Sequence, residues 1–290
     1  MELTLPRDKV GLILKIGLYV FLAFAGIVLF PALLLGASFG YLVAAAGGTF
    51  AAAAVANAVT VRVFERGRLS NIGLGWVSGS GRNLSLGLLG GIGAASIVLL
   101  VPLATGMADL QPAPEQAGGF PSLLFVSVVL LFGAVGEEML FRGYAFQILM
   151  GSMGRFATIL PVAILFALMH SSNQNVSNLG LLNTFGFGIV LGYAVARSGD
   201  LWLPIGIHFG WNWTLPLFGV NLSGFRMGVT GVVLHWKVGE LWSGGGYGPE
   251  ASVLTSLVIV GLMIYLVKAP VKPQPGRLTS TEVQPAAPEF

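Results

Sequence analysis

Eight apolar runs, each set off from the next by a short polar segment, constrain this chain more than any other feature. They cover residues 10–35, 38–61, 84–106, 120–150, 157–171, 179–197, 201–218 and 251–268. A helix crossing the hydrocarbon of a bilayer needs about 20 apolar residues, because each backbone N–H and C=O must be satisfied within the segment. The runs therefore predict an all-α fold, a polytopic membrane bundle of about eight transmembrane helices. Composition agrees: 9% of residues are charged and 55% hydrophobic, where a soluble domain carries about 25% charged residues. The second run is rich in Ala and Gly, which suits close helix packing. The run 120–150 is too long for one upright crossing and should tilt or project. The run 157–171 is short, as for a helix buried among others. Lys15, near the start of the first run, is placed to snorkel to the interface.

The connecting segments sort by charge. Arg62, Arg66, Arg68 and Arg82 lie between the second and third runs, Arg155 and Arg197 in later turns, and Lys268, Lys272 and Arg277 after the last. Eight crossings put all of these on one side, which the positive-inside rule makes cytoplasmic, with both termini there. The acidic segment 107–119 and the segment 171–178 fall on the other side. Arg226 and Lys237, in the outer segment 219–250, are the exceptions. The expected location is an integral protein of a bacterial plasma membrane. Arg7 and Lys9 precede a long apolar run without a small-residue cleavage site, so the first run reads as a retained span. The chain divides into an N-terminal three-span region (1–119), a core (120–218), a Gly-rich outer loop (219–250), a last transmembrane helix (251–268) and a Pro-rich tail expected to be disordered (269–290). There is no cysteine, hence no disulfide, thiolate ligand or cysteine nucleophile. The net charge of +3 forms no basic patch, so nucleic acid is not an expected partner. No internal repeat, Walker-type loop or GxGxxG fingerprint occurs.

Against this background the ionisable residues inside the runs stand out. They are Lys15, Glu137, Glu138, Arg142, His170 and His208, with Asn212 beside the last. A charge at the centre of a spanning helix costs about 2.5–3.5 kcal/mol on insertion scales, so such residues need partners or a task. Glu138 and Arg142 are four apart and share a helix face. Glu137 is turned about 100° from Glu138, free to face a different partner. His208 and Asn212 are also four apart, as are Phe166 and His170. Counted from the turn at 151–155, Glu137 and His170 both lie roughly 20 Å in, and His208 and Asn212 roughly 12–18 Å in from Asp200, at 1.5 Å per residue. Three helices can thus bring these groups to one intramembrane site.

Peptide hydrolysis needs a base to activate water and donors for the developing oxyanion. Glu137 with His170 can polarise water, and His208 and Asn212 can donate to the oxyanion. The same groups, Glu137, His170 and His208, can alternatively ligate a divalent metal such as zinc. No HExxH pair is present.

The ordered set Glu137-Glu138-x-x-x-Arg142, Phe166-x-x-x-His170 and His208-x-x-x-Asn212 resembles the three motifs of the CAAX prenyl protease and bacteriocin-processing family, also called the abortive-infection family. Phe141-Arg142-Gly143 and Trp211-Asn212-Trp213 are also similar to bacterial members. The resemblance covers about residues 120–215, the earlier spans agreeing in hydropathy only. It implies an eight-helix intramembrane endopeptidase. Glu137 would be the catalytic base, and Glu138 an auxiliary group held by Arg142. His170 would assist water activation or bind metal, and His208 and Asn212 would form the oxyanion site or complete a metal shell. Its implied partners are the lipid bilayer and a peptide or protein substrate near the membrane. The family has been described both as metalloproteases and as glutamate proteases, so a metal cofactor stays open.

Simpler readings stand beside these. Glu138 and Arg142 can be a structural pair alone, Phe166 a packing residue shaping the site, and Asn212 helix–helix glue. Asp200 is expected to cap the helix that follows, and His235 to have no role. Two rival functions use the same residues: a proton-coupled membrane transporter, and a non-catalytic bacteriocin-immunity protein.

Overall fold

The computed structural model describes residues 7–274 and 278. Its framework is helical: α1 (Arg7–Gly36), α2 (Tyr41–Glu65), α3 (Ser80–Ala104), α4 (Gly119–Arg142), α5 (Tyr144–Met153), α6 (Arg155–Met169), α7 (Asn178–Ser198), α8 (Trp202–Leu217), the short α9 (Glu240–Ser243) and α10 (Val253–Lys268). Each expected run holds a helix, but among the described residues only five stretches are long and apolar enough to cross a membrane on those grounds: Lys9–Gly36, Tyr41–Glu65, Ser80–Ala104, Gly119–Met153 and Asn178–Ser198. The helices α6 and α10 are shorter apolar helices, and α8 has 16 residues. A count of eight full crossings is therefore not what the helix lengths show. The outward faces of α1 and α6 are apolar, with Phe21, Phe24, Phe156 and Ile164 exposed, as suits a surface solvated by lipid.

Glycine sets the closest helix contacts. A β-carbon added to Gly87 or Gly91 of α3 would collide with the carbonyl oxygens of Leu203 and Ile207 on α8, and Gly206 returns the contact against Leu84 and Leu88. Small residues at this spacing let two backbones touch, the main source of helix affinity where lipid removes the hydrophobic drive. The rotation of α8 is thereby fixed, and with it His208. Gly136 plays the same part on α4: a β-carbon there would lie 2.8 Å from the backbone of Phe50 on α2.

The run 120–150 is not one tilted helix. It breaks at Gly143 into α4 and α5. A break at this depth must have its freed backbone groups satisfied, and buried polar side chains do so. Asn57 accepts from the N–H of Tyr144 (2.7 Å) and donates to the carbonyl of Met139 (3.0 Å). The Tyr19 hydroxyl donates to the Leu140 carbonyl (2.7 Å), and Gln147 to the carbonyls of Arg142 (3.1 Å) and Ile72 (2.8 Å). Lys15 does not simply reach for the interface: its ammonium lies 2.7 Å from Glu65, which also accepts from Tyr144 (2.8 Å).

At one end of the bundle β1 (Ala108–Pro112) pairs antiparallel with β2 (Val232–Trp236), Leu110 opposite Leu234. The segments 107–119 and 219–250 thus form one cap. Lys237 there pairs with Asp109 (3.2 Å). At the opposite end residues 269–274, the start of the segment expected to be a disordered tail, pack back onto the bundle. Lys272 exchanges backbone hydrogen bonds with the Asn83 side chain (2.9 Å each), and Gln274 donates to the Ser198 carbonyl (2.6 Å). Asn83 also donates to Asp200 (2.7 Å), whose other oxygen accepts from the N–H of Leu203 (3.2 Å), capping α8. Residues 275–277 and 279–290 of the expected tail lie outside the described residues.

Candidate active site

The helices α4, α6 and α8 bring their polar residues together around one cavity of about 370 Å³. Glu138 and Arg142 lie behind its wall with side chains fully buried. Arg142 Nη1 donates to Glu138 Oε1 (3.2 Å) and Nη2 to the Gly188 carbonyl of α7 (3.2 Å). The guanidinium also sits 4.4 Å from the centre of the Phe166 ring. Phe166 in turn stacks 4.7 Å from His170 and meets Phe141 edge-on at 5.1 Å. Phe166 is thus the apolar spacer between the buried ion pair and the histidine one helical turn on.

Glu137 points the other way, into the cavity, with its side chain 29% exposed. Its Oε2 lies 3.9 Å from His170 Nε2 and 3.8 Å from His208 Nε2, and has no direct hydrogen-bond partner. Both imidazoles are held from behind through Nδ1. His170 Nδ1 is 2.8 Å from the Phe166 carbonyl, and His208 Nδ1 is 2.8 Å from Glu138 Oε1. A carbonyl and a carboxylate accept only, so each Nδ1 carries a proton and each Nε2 turns toward Glu137. Asn212 lines the same cavity on the same side as His208. Glu137, His170, His208 and Asn212 therefore meet at one place, with Glu138, Arg142 and Phe166 behind them. The His208–Glu138 contact was not foreseen from the sequence, since i, i+4 spacing reveals partners only within a helix.

The donor types around Glu137 are those of a zinc site, but the spacing is not. Zinc bonds of about 2.0–2.1 Å set tetrahedral ligand atoms about 3.3–3.4 Å apart, short of the 3.8 and 3.9 Å here. Among the described residues no group of three or more His, Asp or Glu is arranged to hold a metal ion. The separations suit a water molecule hydrogen-bonded at about 2.7–2.9 Å to each group.

Sequence reasoning passed over one acidic residue of this cavity. Glu250, in the turn Pro249–Ala251 before α10, lines it together with Glu137. Its Oε1 accepts from Trp211 Nε1 (3.3 Å) and its Oε2 from the Ser223 hydroxyl (3.2 Å) and backbone N–H. Burial pushes its carboxyl above the ordinary carboxylate range. The available signal was its position, an acid immediately before the apolar run 251–268. The cavity is roofed by the segment 222–227, where Phe225 stacks 5.4 Å from Tyr41 at the start of α2.

Residues 119–214 match the family model for type II CAAX prenyl endopeptidases, Rce1-like. That match spans a third of the chain and contains every motif residue named above. It agrees with the resemblance carried by the three motifs, and it supports a CAAX-type protease embedded in a lipid environment with a peptide substrate. With the long apolar helices, it makes the chain an integral membrane protein. No curated protein matches the chain.

Proposed function

We propose that this protein is an intramembrane endopeptidase that hydrolyses a peptide bond of a membrane-associated or lipidated substrate. The observation that carries the reading is the convergence of two Nδ1-anchored imidazoles on one unpartnered carboxylate oxygen. A water placed between them donates one hydrogen to Glu137 Oε2 and the other to His170 Nε2, whose lone pair is free. Glu137 takes the proton as the water oxygen attacks the scissile carbonyl carbon. His208, doubly protonated between Glu138 and the cavity, presents Nε2–H to the developing oxyanion, and Asn212 supplies a second donor from the next turn of α8. Glu137 then returns the proton to the leaving amine. Glu138 acts through His208, orienting its ring, while Arg142 and Phe166 hold Glu138 and His170 in place.

The cavity lies toward the end of the bundle that carries segments 171–178 and 219–231, away from the basic residues 62–68, 155 and 268. With the basic end cytoplasmic, as the positive-inside rule has it, the substrate reaches the site from the outer half of the membrane.

Cleavage of membrane-anchored reporter peptides by the purified full chain tests the reading. Glu137→Gln and His170→Ala should each abolish turnover, a loss of about 10²-fold or more for a removed general base, while both variants still insert and unfold cooperatively. Full activity in either variant would overturn it.

A further inference from the structure

The outer end of the cavity holds a carboxylate that the hydrolytic chemistry does not use. Glu250 receives three hydrogen bonds, all from neutral donors on Trp211 and Ser223. Among the described residues no Lys or Arg forms an ion pair with it. His170 is within electrostatic reach, but its two nitrogens are directed at Phe166 and Glu137. Buried carboxylates are ordinarily paired, because desolvating an unpaired charge is costly.

A second group at the same place points the same way. Tyr247 is 1% exposed, and its hydroxyl has no hydrogen-bond partner. The Ser223, Thr184 and Asn173 side chains lie in loose hydrogen-bonding reach of that hydroxyl, and the Glu250 carboxylate is close enough to act on it electrostatically; these four line the cavity, and Tyr247 stands behind them. An unused phenol oxygen and a carboxylate with a free lone pair together suit an ammonium or guanidinium, which carries several N–H donors and no acceptor. The rest of the cavity's charge favours such a ligand too. Arg142 and the His208 imidazolium offset Glu138 and Glu137, leaving Glu250 as the uncompensated negative charge between apolar walls, which concentrates cations.

We propose that Glu250, backed by the Tyr247 hydroxyl, forms a cation subsite, and that the substrate peptide places a basic side chain or free amino group there while its scissile bond lies at Glu137. This rests on the endopeptidase reading. The alternative role for Glu250 is a strap that ties the turn at Ser223 to Trp211 of α8. A strap affects every peptide alike, whereas a cation subsite changes the preference between two peptides.

The test uses the full chain in detergent micelles and a palmitoylated peptide library in which one position at a time is Lys or its neutral isostere norleucine, cut sites being read by mass spectrometry. At one position near the cut, kcat/KM should favour Lys by about 10- to 100-fold, the range of a charge-assisted hydrogen bond. Glu250→Gln should bring that ratio to about one, Glu250→Asp should retain part of it, and Tyr247→Phe should lower it. A wild-type ratio near one at every position, or a ratio unchanged in Glu250→Gln, overturns the subsite even if hydrolysis is robust. If no peptide is cut, the hydrolytic reading fails separately. Fluorescence anisotropy of the same labelled pair on the Glu137→Gln chain then decides: Lys-selective binding that Glu250→Gln removes upholds the subsite, and equal binding overturns it.

Discussion

His208 Nδ1 lies 2.8 Å from Glu138 Oε1, the same oxygen that accepts from Arg142 at 3.2 Å. One fully buried carboxylate therefore neutralises a cation and orients an imidazole. Removing it leaves Arg142 uncompensated, which costs about 3–5 kcal/mol for a buried pair. Glu138→Ala should show that loss as a lowered midpoint of thermal unfolding in detergent. Adding Arg142→Met should recover part of the midpoint and none of the turnover, because His208 still lacks its anchor. A double variant no more stable than the single would count against the ion pair as the cause.

Chelation separates the two uses of the Glu137 cluster. The 3.8 and 3.9 Å separations suit a bridging water, so prolonged treatment with a strong zinc chelator should leave cleavage unchanged. Loss of cleavage that returns with stoichiometric zinc would show that the three groups close around an ion.

The contact between α3 and α8 should be intolerant of size. Gly91→Val forces a branched side chain against the Ile207 carbonyl. Overpacking of this kind costs about 1–3 kcal/mol or more, and here it also moves the helix that bears His208. The expected result is a lower unfolding midpoint together with reduced turnover. A β-carbon at Gly93 meets nothing, so Gly93→Ala on the same helix should change neither.

Acidity should act on Glu250 in two opposite ways. Burial raises its pKa, while the Ser223 and Trp211 donors pull it back only in part. The titratable groups facing it are His170 at the end of α6 and Tyr247. A carboxyl whose folded pKa is raised stabilises the fold fully below its unfolded value of about 4.3, and that contribution is lost as pH rises through the folded value. Glu250→Gln should flatten this fall in the unfolding midpoint. The preference for Lys over norleucine should run the other way, vanishing at acidic pH and growing as Glu250 ionises. A preference independent of pH would contradict that assignment.

Much of this was legible without coordinates. The apolar runs located each principal helix, since a membrane leaves a backbone few alternatives. The i, i+4 spacings paired Glu138 with Arg142, and the depth count set Glu137 level with His170, whose atoms come within 3.9 Å. The break at Gly143 was not legible, because what permits it is Asn57, 87 residues away from Tyr144 in the chain. The cap was missed for the same reason: two five-residue strands become recognisable only when paired.

By itself, then, the sequence determined which residues are too costly to sit in a membrane idly, because burial of charge is a local property read one helix at a time. Only the tertiary structure decided what they face. Whether Glu138 serves Arg142 alone or also His208, and whether Glu250 belongs to the loop or to the site, depends on how α8 rotates against α3 and where the outer segment folds back. Those follow from close glycine packing and long-range hydrogen bonds between residues far apart in the chain.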